Sequence, residues 1–326
     1  MAGCCRIALA AAGLLVLTQG AAPQSWPSRP MTMVVPFAPG GGADVMGRIL
    51  AARMSEVLGQ QVIVENAGGA GGMTGAYRVA KAAPDGYQFV LGTNGTHAQN
   101  QSLYKSPLYN AATDFTPVAL ISEQPIVLMA RHDLPADDLK GFIAYAKAHQ
   151  AEMKYGSAGA GSAVQLACVL LNAAVGVKVT HVPYRGSAPA TADLMAGRID
   201  YQCANVGPVV GQIESHVVKA IAILSRKRTA LLPALASAHE QGLTGFDASI
   251  WYALFLPKGT PAAIVGKLHD VIFAAVATPA IERRLHEIGA TVVTPERRSP
   301  DYLRAFVASE IEKWAAPIKA ANLSGD

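Results

Sequence analysis

Metal and redox chemistry have little to work with in this chain. Four cysteines occur in 326 residues. No Cys-x-x-Cys is present, and no two histidines fall at i, i+3 or i, i+4, the spacings that build helical metal sites. A Gly-x-Ser-x-Gly elbow and a Gly-Lys-Ser/Thr phosphate loop are also missing. Aromatic residues make up only 6% of the chain, too few for a sugar- or base-stacking surface. Charge is sparse and nearly balanced, with 27 Lys+Arg against 23 Asp+Glu. The densest basic cluster, Arg226-Lys227-Arg228, reads as a solvated helix end rather than a nucleic-acid contact. No metal, cofactor or nucleic-acid partner is therefore expected.

Long apolar runs are scarce too. The one that stands out, Ile7 to Leu17, is too short to span a bilayer comfortably. Arg6 precedes it and small or polar residues follow around Gly20 to Ala22, the plan of a secretory signal peptide over residues 1–22. An exported, periplasmic protein is expected. Export permits a disulfide between the two cysteines left after cleavage, Cys168 and Cys203. Two buried unpaired thiols are the plainer reading, and the sequence leaves the pairing open.

What the chain does have is a set of glycine-rich turns placed after strands. Met33 to Val35 is an apolar strand, Pro36 to Gly42 a Pro/Gly turn, and Val45–Leu58 an amphipathic helix. Met46, Ile49, Leu50, Met54 and Val57 form the apolar stripe, into which Arg53 intrudes and must snorkel or pair. Such a unit aims unpaired N–H groups and the positive end of a helix at one point, which suits an anion. A tight βα turn with no ligand would use the same glycines.

Short apolar runs alternate with helical patterns as far as about Ser225. Further strands are expected at Val62–Val64, Phe89–Leu91, Val118–Ile121, Ile126–Ala130, Lys154–Ser157, Val179–Val182, Ile199–Cys203 and Ala220–Leu224. Helices are expected at Asp137–His149, Val164–Ala173 and Ala188–Ala196, then from Thr260-Pro261, Thr278-Pro279 and Ser299-Pro300 onward. This is α/β architecture with largely parallel sheets. Two strand-like pieces lie back to back around Pro125, and Trp251–Leu256 reads as a second crossing. The expected organisation is residues 26–125 and 249–326 as one domain and 126–248 as another.

Four more polar loops follow strands, where open α/β sheets place ligand crevices. They are Gly92 to His97, Ser157 to Ser162, His181 to Ser187 and Asn205 to Pro208. Each alone is an ordinary loop; their shared position is harder to attribute to turn chemistry. Asn66 to Gly72 suggests a dinucleotide fingerprint, but the third position is Thr74, so it reads as a βα turn on a cleft rim. His97 and His181 read as turn-filling side chains, and Asp44 as a residue satisfying N–H groups in its helix's first turn.

In this order, these segments resemble the Bug family of periplasmic solute-binding proteins, the capturing component of tripartite tricarboxylate transporters. The matching pieces include Val34-Val35-Pro36-Phe37 with Pro39-Gly40-Gly41 and Asp44, and Val64-Glu65-Asn66 with Gly69 to Gly72. Ala83-Pro84-Asp85-Gly86-Tyr87, Tyr155-Gly156-Ser157-Ala158-Gly159 with Gly161-Ser162, and His181-Val182-Pro183-Tyr184 with Gly186 to Ala190 follow. The resemblance implies a two-domain flytrap with two crossover strands that binds a small organic carboxylate as a monomer and meets membrane transporter subunits. It implies a ligand set of Phe37, Gly40, Gly41, Gly42, Asp44, Thr93, Asn94 and Thr96 from one domain. The other domain would add Ser157, Ala158, Gly159, Gly161, Ser162, Tyr184 and Asn205. Three positions depart from the family pattern: Ala43, Gln165 and Ala204 stand where a hydroxyl, a histidine and an aspartate are usual. A less polar acid, aromatic or short aliphatic, would suit such a pocket. The alternatives are an exported hydrolase using Ser157 or Ser162, and a sensing protein whose closed form docks on a receptor domain.

Overall fold

Two sheets share this chain, which crosses between them twice. The computed structural model describes residues 26–320, so the expected signal peptide lies outside the described residues. The first lobe opens with β1 (Met31–Val35), α1 (Gly42–Leu58), β2 (Val62–Asn66), α2 (Met73–Ala80) and β3 (Gln88–Thr93). One π-helical turn, Gly95–Gln99, leads into α3 (Asn100–Leu103), and β4 (Phe115–Gln124) follows. Only Pro125 separates β4 from β5 (Ile126–Arg131), which already belongs to the second sheet. The second lobe continues with α4 (Leu139–His149), β6 (Lys154–Ser157), α5 (Ala163–Val175), β7 (Thr180–Pro183) and α6 (Ser187–Met195). It ends with β8 (Tyr201–Asn205), α7 (Val210–Glu214) and β9 (Val218–Ile223). The chain returns through β10 (Ile250–Pro257) and closes with α8 (Ala262–Val276), α9 (Pro279–Glu287), β11 (Thr291–Val292) and α10 (Pro300–Ala320).

The strand orders are β11-β4-β10-β3-β1-β2 and β7-β6-β8-β5-β9. Pairing is parallel where helices connect the strands, as for β1 with β2 and β3 and for β6 with β7 and β8. The crossing strands break this rule: β10 is antiparallel to β3 and β4, and β5 to β8 and β9. The sheets are therefore mixed rather than largely parallel, because a strand arriving from the other lobe runs against its neighbours.

Local signals account for most elements. Met46, Ile49, Leu50 and Met54 bury one face of α1, and Gly59 ends the helix at φ 65, a left-handed value that suits glycine. Val57, expected in the stripe, is 40% exposed because it lies beyond the core in the last turn. Arg53 pairs with Glu56 at 2.7 Å. Asp138 caps α4 by accepting from the Gly141 N–H at 2.7 Å. Thr260, expected to cap α8, instead donates to Pro257 O at 2.8 Å, and the helix begins at Ala262. Arg226 to Arg228 lie in the loop after β9 and not at a helix end, and Arg228 pairs with Glu240. Cys168 on α5 and Cys203 on β8 form a disulfide, with Cα atoms 5.6 Å apart, against the reading of two unpaired thiols. Their 35-residue separation carries no local sign of that contact.

Candidate functional site

Three helices begin at one small cavity where the lobes meet. Its walls are Phe37, Gly41, Ala43, Thr93 and Ile250 from the first lobe and Ala158, Ser162, Ala163, Val164, Ser187 and Asn205 from the second. Gly41 is the N-cap of α1, Ser162 caps α5, and Ser187 is the first residue of α6. First-turn N–H groups such as those of Ala43, Ala163, Val164 and Ser187 have no carbonyl partner within their own helices. The cavity wall contains no charged side chain. The cavity is about 20 Å³, room for about one water molecule.

The lobes are in close contact around this cavity. Ala38 N–H donates to Arg185 O at 2.9 Å, and the Tyr104 hydroxyl donates to Ala160 O at 2.7 Å. Glycine permits the closest approaches. A Cβ on Gly42 would lie 2.6 Å from Asn205 Cγ, and one on Gly71 would lie 2.0 Å from Ala160 O.

Of the expected ligand residues, Phe37, Gly41, Thr93, Ala158, Ser162 and Asn205 reach the cavity wall. The others stand behind it. Asp44 is buried and accepts from Gly40 N–H at 2.9 Å, Arg48 Nε at 3.1 Å and Asn66 Nδ2 at 2.9 Å. Burial pushes its carboxyl up, but the bonds from Arg48, Gly40 and Asn66 outweigh burial and hold it below the usual carboxylate range. Gly40 N–H is thus engaged within the loop, as are Gly159 N–H with Ser157 Oγ at 3.1 Å and Gly161 N–H with Gln165 Oε1 at 3.3 Å. Thr96 Oγ accepts from Thr93 N–H at 2.9 Å, fastening the turn that presents Thr93. Asn94 Nδ2 donates to Ser249 O at 3.1 Å, while its buried Oδ1 has no partner among the described residues. Gly42 leaves the space that the Asn205 side chain fills. The Tyr184 hydroxyl donates to Asp193 at 2.7 Å, and its ring packs near Gly156, outside the cavity wall. Asn205 Nδ2 donates to Gln124 Oε1 at 2.8 Å and to the Tyr252 hydroxyl at 3.0 Å, so a second-lobe side chain bonds to β4 and β10 of the first sheet.

Ala43, Ala163, Val164, Ser187 and Ile250 also wall the cavity and were absent from the expected set. Ala43 had a signal in its departure from the family pattern, and Ser187 in the glycine-serine loop before its helix; Ala163, Val164 and Ile250 look like any core residue.

Two serines bear on the hydrolase alternative. Ser157 Oγ lies 2.7 Å from His181 Nε2, a pair that the sequence did not reveal. Ser157 is nevertheless fully buried, its Oγ also meets Gly159 N and O, and it is not part of the cavity wall. Burial pushes His181 down to about 4, and no carboxylate hydrogen-bonds it among the described residues. The pair ties β6 to the neighbouring β7. Ser162 donates its hydroxyl to Gly159 O at 2.7 Å and accepts from Gln165 N–H at 3.3 Å, the geometry of a cap. Among the described residues no group of three or more His, Cys, Asp or Glu is placed to hold a metal ion.

A model of the family described as tripartite tricarboxylate transporter family receptor matches residues 46–323. The chain belongs to that receptor family. The receptor is similar to the periplasmic binding protein BugD, at 39% identity over 92% of this chain and 99% of that one, with a TM-score of 0.88. It is similar to MatC from Rhodopseudomonas palustris, solved with bound malate, at 39% identity, 90% and 100% coverage and a TM-score of 0.87. R. palustris Rpa4515, solved with adipate, matches at 35% identity, 92% and 99% coverage and a TM-score of 0.87. These likenesses make the receptor a solute-binding protein of the two-lobed periplasmic type.

Proposed function

We propose that this receptor captures a small organic carboxylate in the periplasm and presents it, chemically unchanged, to the membrane subunits of a tripartite transporter. It acts as a monomer in which residues 26–125 and 249–326 move as one body against residues 126–248. The observation that carries this reading is the convergence of α1, α5 and α6 N-termini on one cavity whose wall has no charged side chain. Backbone N–H groups and helix dipoles favour an anion there without a guanidinium clamp. Three charge-assisted hydrogen bonds at about 1.5–3 kcal/mol each approach the roughly 8 kcal/mol of a micromolar complex. The malate and adipate bound by two similar proteins point to the same ligand class. Phe37, Ala43, Val164 and Ile250 in the wall suit an acid with an apolar portion.

A thermal-shift panel of mono-, di- and tricarboxylates and aromatic acids, each beside its primary amide, tests this reading. Binding to the native state raises apparent stability by mass action. At least one acid should raise the melting temperature while its amide does not, and mass analysis should recover that acid intact. A panel in which no acid acts, or in which the acid is converted, would refute the proposal.

A further inference from the structure

A second space adjoins the cavity. It is a slot of about 210 Å³ in the second lobe, between α6 and the turn leading to α7, roofed by Gly40 and Gly41 of the first lobe. Apolar groups from Ala188, Ala192, Met195, Ala204, Pro208 and Val209 make up most of its wall, with the polar side chains of Gln212 and Thr191 beside them. Thr191 contributes little polarity, because its hydroxyl is engaged with Ser187 O at 3.1 Å and Gln202 Oε1 at 3.0 Å. Met195, 45% exposed, stands where the slot reaches solvent.

Cavity and slot have Gly41, Ser187 and Asn205 in common. These three residues form a partition drawn from both lobes, for Gly41 comes from the first and the other two from the second. Gly41 contributes no side chain, and a Cβ there would lie 3.7 Å from Ser187 N. The cavity itself holds about one water molecule, so any organic acid has to part the lobes slightly. That movement separates Gly41 from Ser187 and joins the two spaces.

Resting on the proposed carboxylate reading, we infer that the slot is a subsite for an unbranched apolar tail. The ligand class is then an elongated monocarboxylic acid, its carboxylate at the three helix N-termini and its chain running past Gly41 into the slot. Lobe closure does not cap the length of such a ligand, since the slot opens to solvent beside Met195.

Calorimetric titration of the full mature receptor with butanoate, hexanoate and octanoate tests the inference, with malate as a reference dicarboxylate. Burying a methylene fully is worth about fourfold in affinity. Octanoate should therefore bind at least about tenfold more tightly than butanoate. Ala192→Phe fills the slot from its solvent side, away from the cavity wall. It should abolish the gain for octanoate while leaving butanoate within about threefold. Octanoate no tighter than butanoate, or equal weakening of both by Ala192→Phe, would overturn the tail subsite while the carboxylate reading stands. Failure of all four acids would overturn the subsite, and the carboxylate reading falls with it only if the wider acid panel also leaves the melting temperature unmoved.

Discussion

Hydrogen bonds at Ser162 turn a candidate ligand donor into a helix cap. Its hydroxyl proton is directed at Gly159 O and its oxygen accepts from Gln165 N–H, so the side chain serves α5 and its loop before any ligand arrives. Ser162→Ala should lower stability by about 1 kcal/mol while leaving carboxylate affinity within about threefold; melting and titration of the variant measure both, and a loss confined to affinity would restore the donor role. His97 is a second residue whose setting decides its behaviour. It is fully buried, stacks on Phe255 at 3.8 Å between ring centres, and is pushed by burial from 6.5 down to about 3. An unfolded chain takes that proton near pH 6.5, so between there and pH 3 the unfolded state binds more protons. The stabilisation is therefore complete above pH 6.5 and declines as the pH falls. At pH 5 this one group accounts for a loss of about 2 kcal/mol relative to neutral pH. His97→Phe should lose that much less between pH 7 and pH 5 in urea unfolding, and an unchanged acid loss would show that other groups set it. Neither outcome could be read from residue type alone, because a serine before a helix and a histidine after a strand fit several roles.

At the scale of elements, the strand–loop–helix units were legible because their signals are local. Pro39 to Gly42 and Ser157 to Ser162 carry turn and cap residues at fixed offsets from the helices they start, and those helices form. Val164, Ser187 and Ile250 could not be recognised as one wall, since their meeting depends on how three elements from two lobes are brought together. The disulfide was illegible for the same reason. It ties the middle of α5 to β8, and the ends of both elements lie at the cavity, at Ser162 and Asn205. Closing a loop of this length restricts the unfolded chain by about 3–4 kcal/mol. Cys168→Ala combined with Cys203→Ala should therefore reduce the urea-unfolding free energy by roughly 2–4 kcal/mol. A change below about 0.5 kcal/mol would mean that the α5–β8 packing alone sets this region's stability.

For the whole molecule, the contacts at Ala38–Arg185 and Tyr104–Ala160 describe closed lobes around a space too small for the ligands of its relatives. A ligand-free population with separated lobes should give a larger radius of gyration by solution scattering, and saturating carboxylate should contract it. Gly71→Val should block that contraction, because a side chain at φ 60 would strike Ala160 O. A radius unmoved by a ligand that calorimetry shows to bind would contradict hinge closure. The two-lobe plan was visible in the back-to-back strands at Pro125, whereas the antiparallel entry of β10 was not. That entry bears on how the protein is made. β10 sits inside the first sheet, between β3 and β4, where Tyr252 pairs with Thr93, 159 positions earlier in the sequence. A chain synthesised from its N-terminus presents β1 to β4 with two bare edges and nothing to fill them. The second lobe, continuous from Ile126 to Ile223, has all its strands first. Long-range pairing of this kind is slow and leaves strand edges open to other chains. Binding by a holding factor before folding is complete should therefore fall on residues 31–124, the part of the first sheet that is made first and finished last.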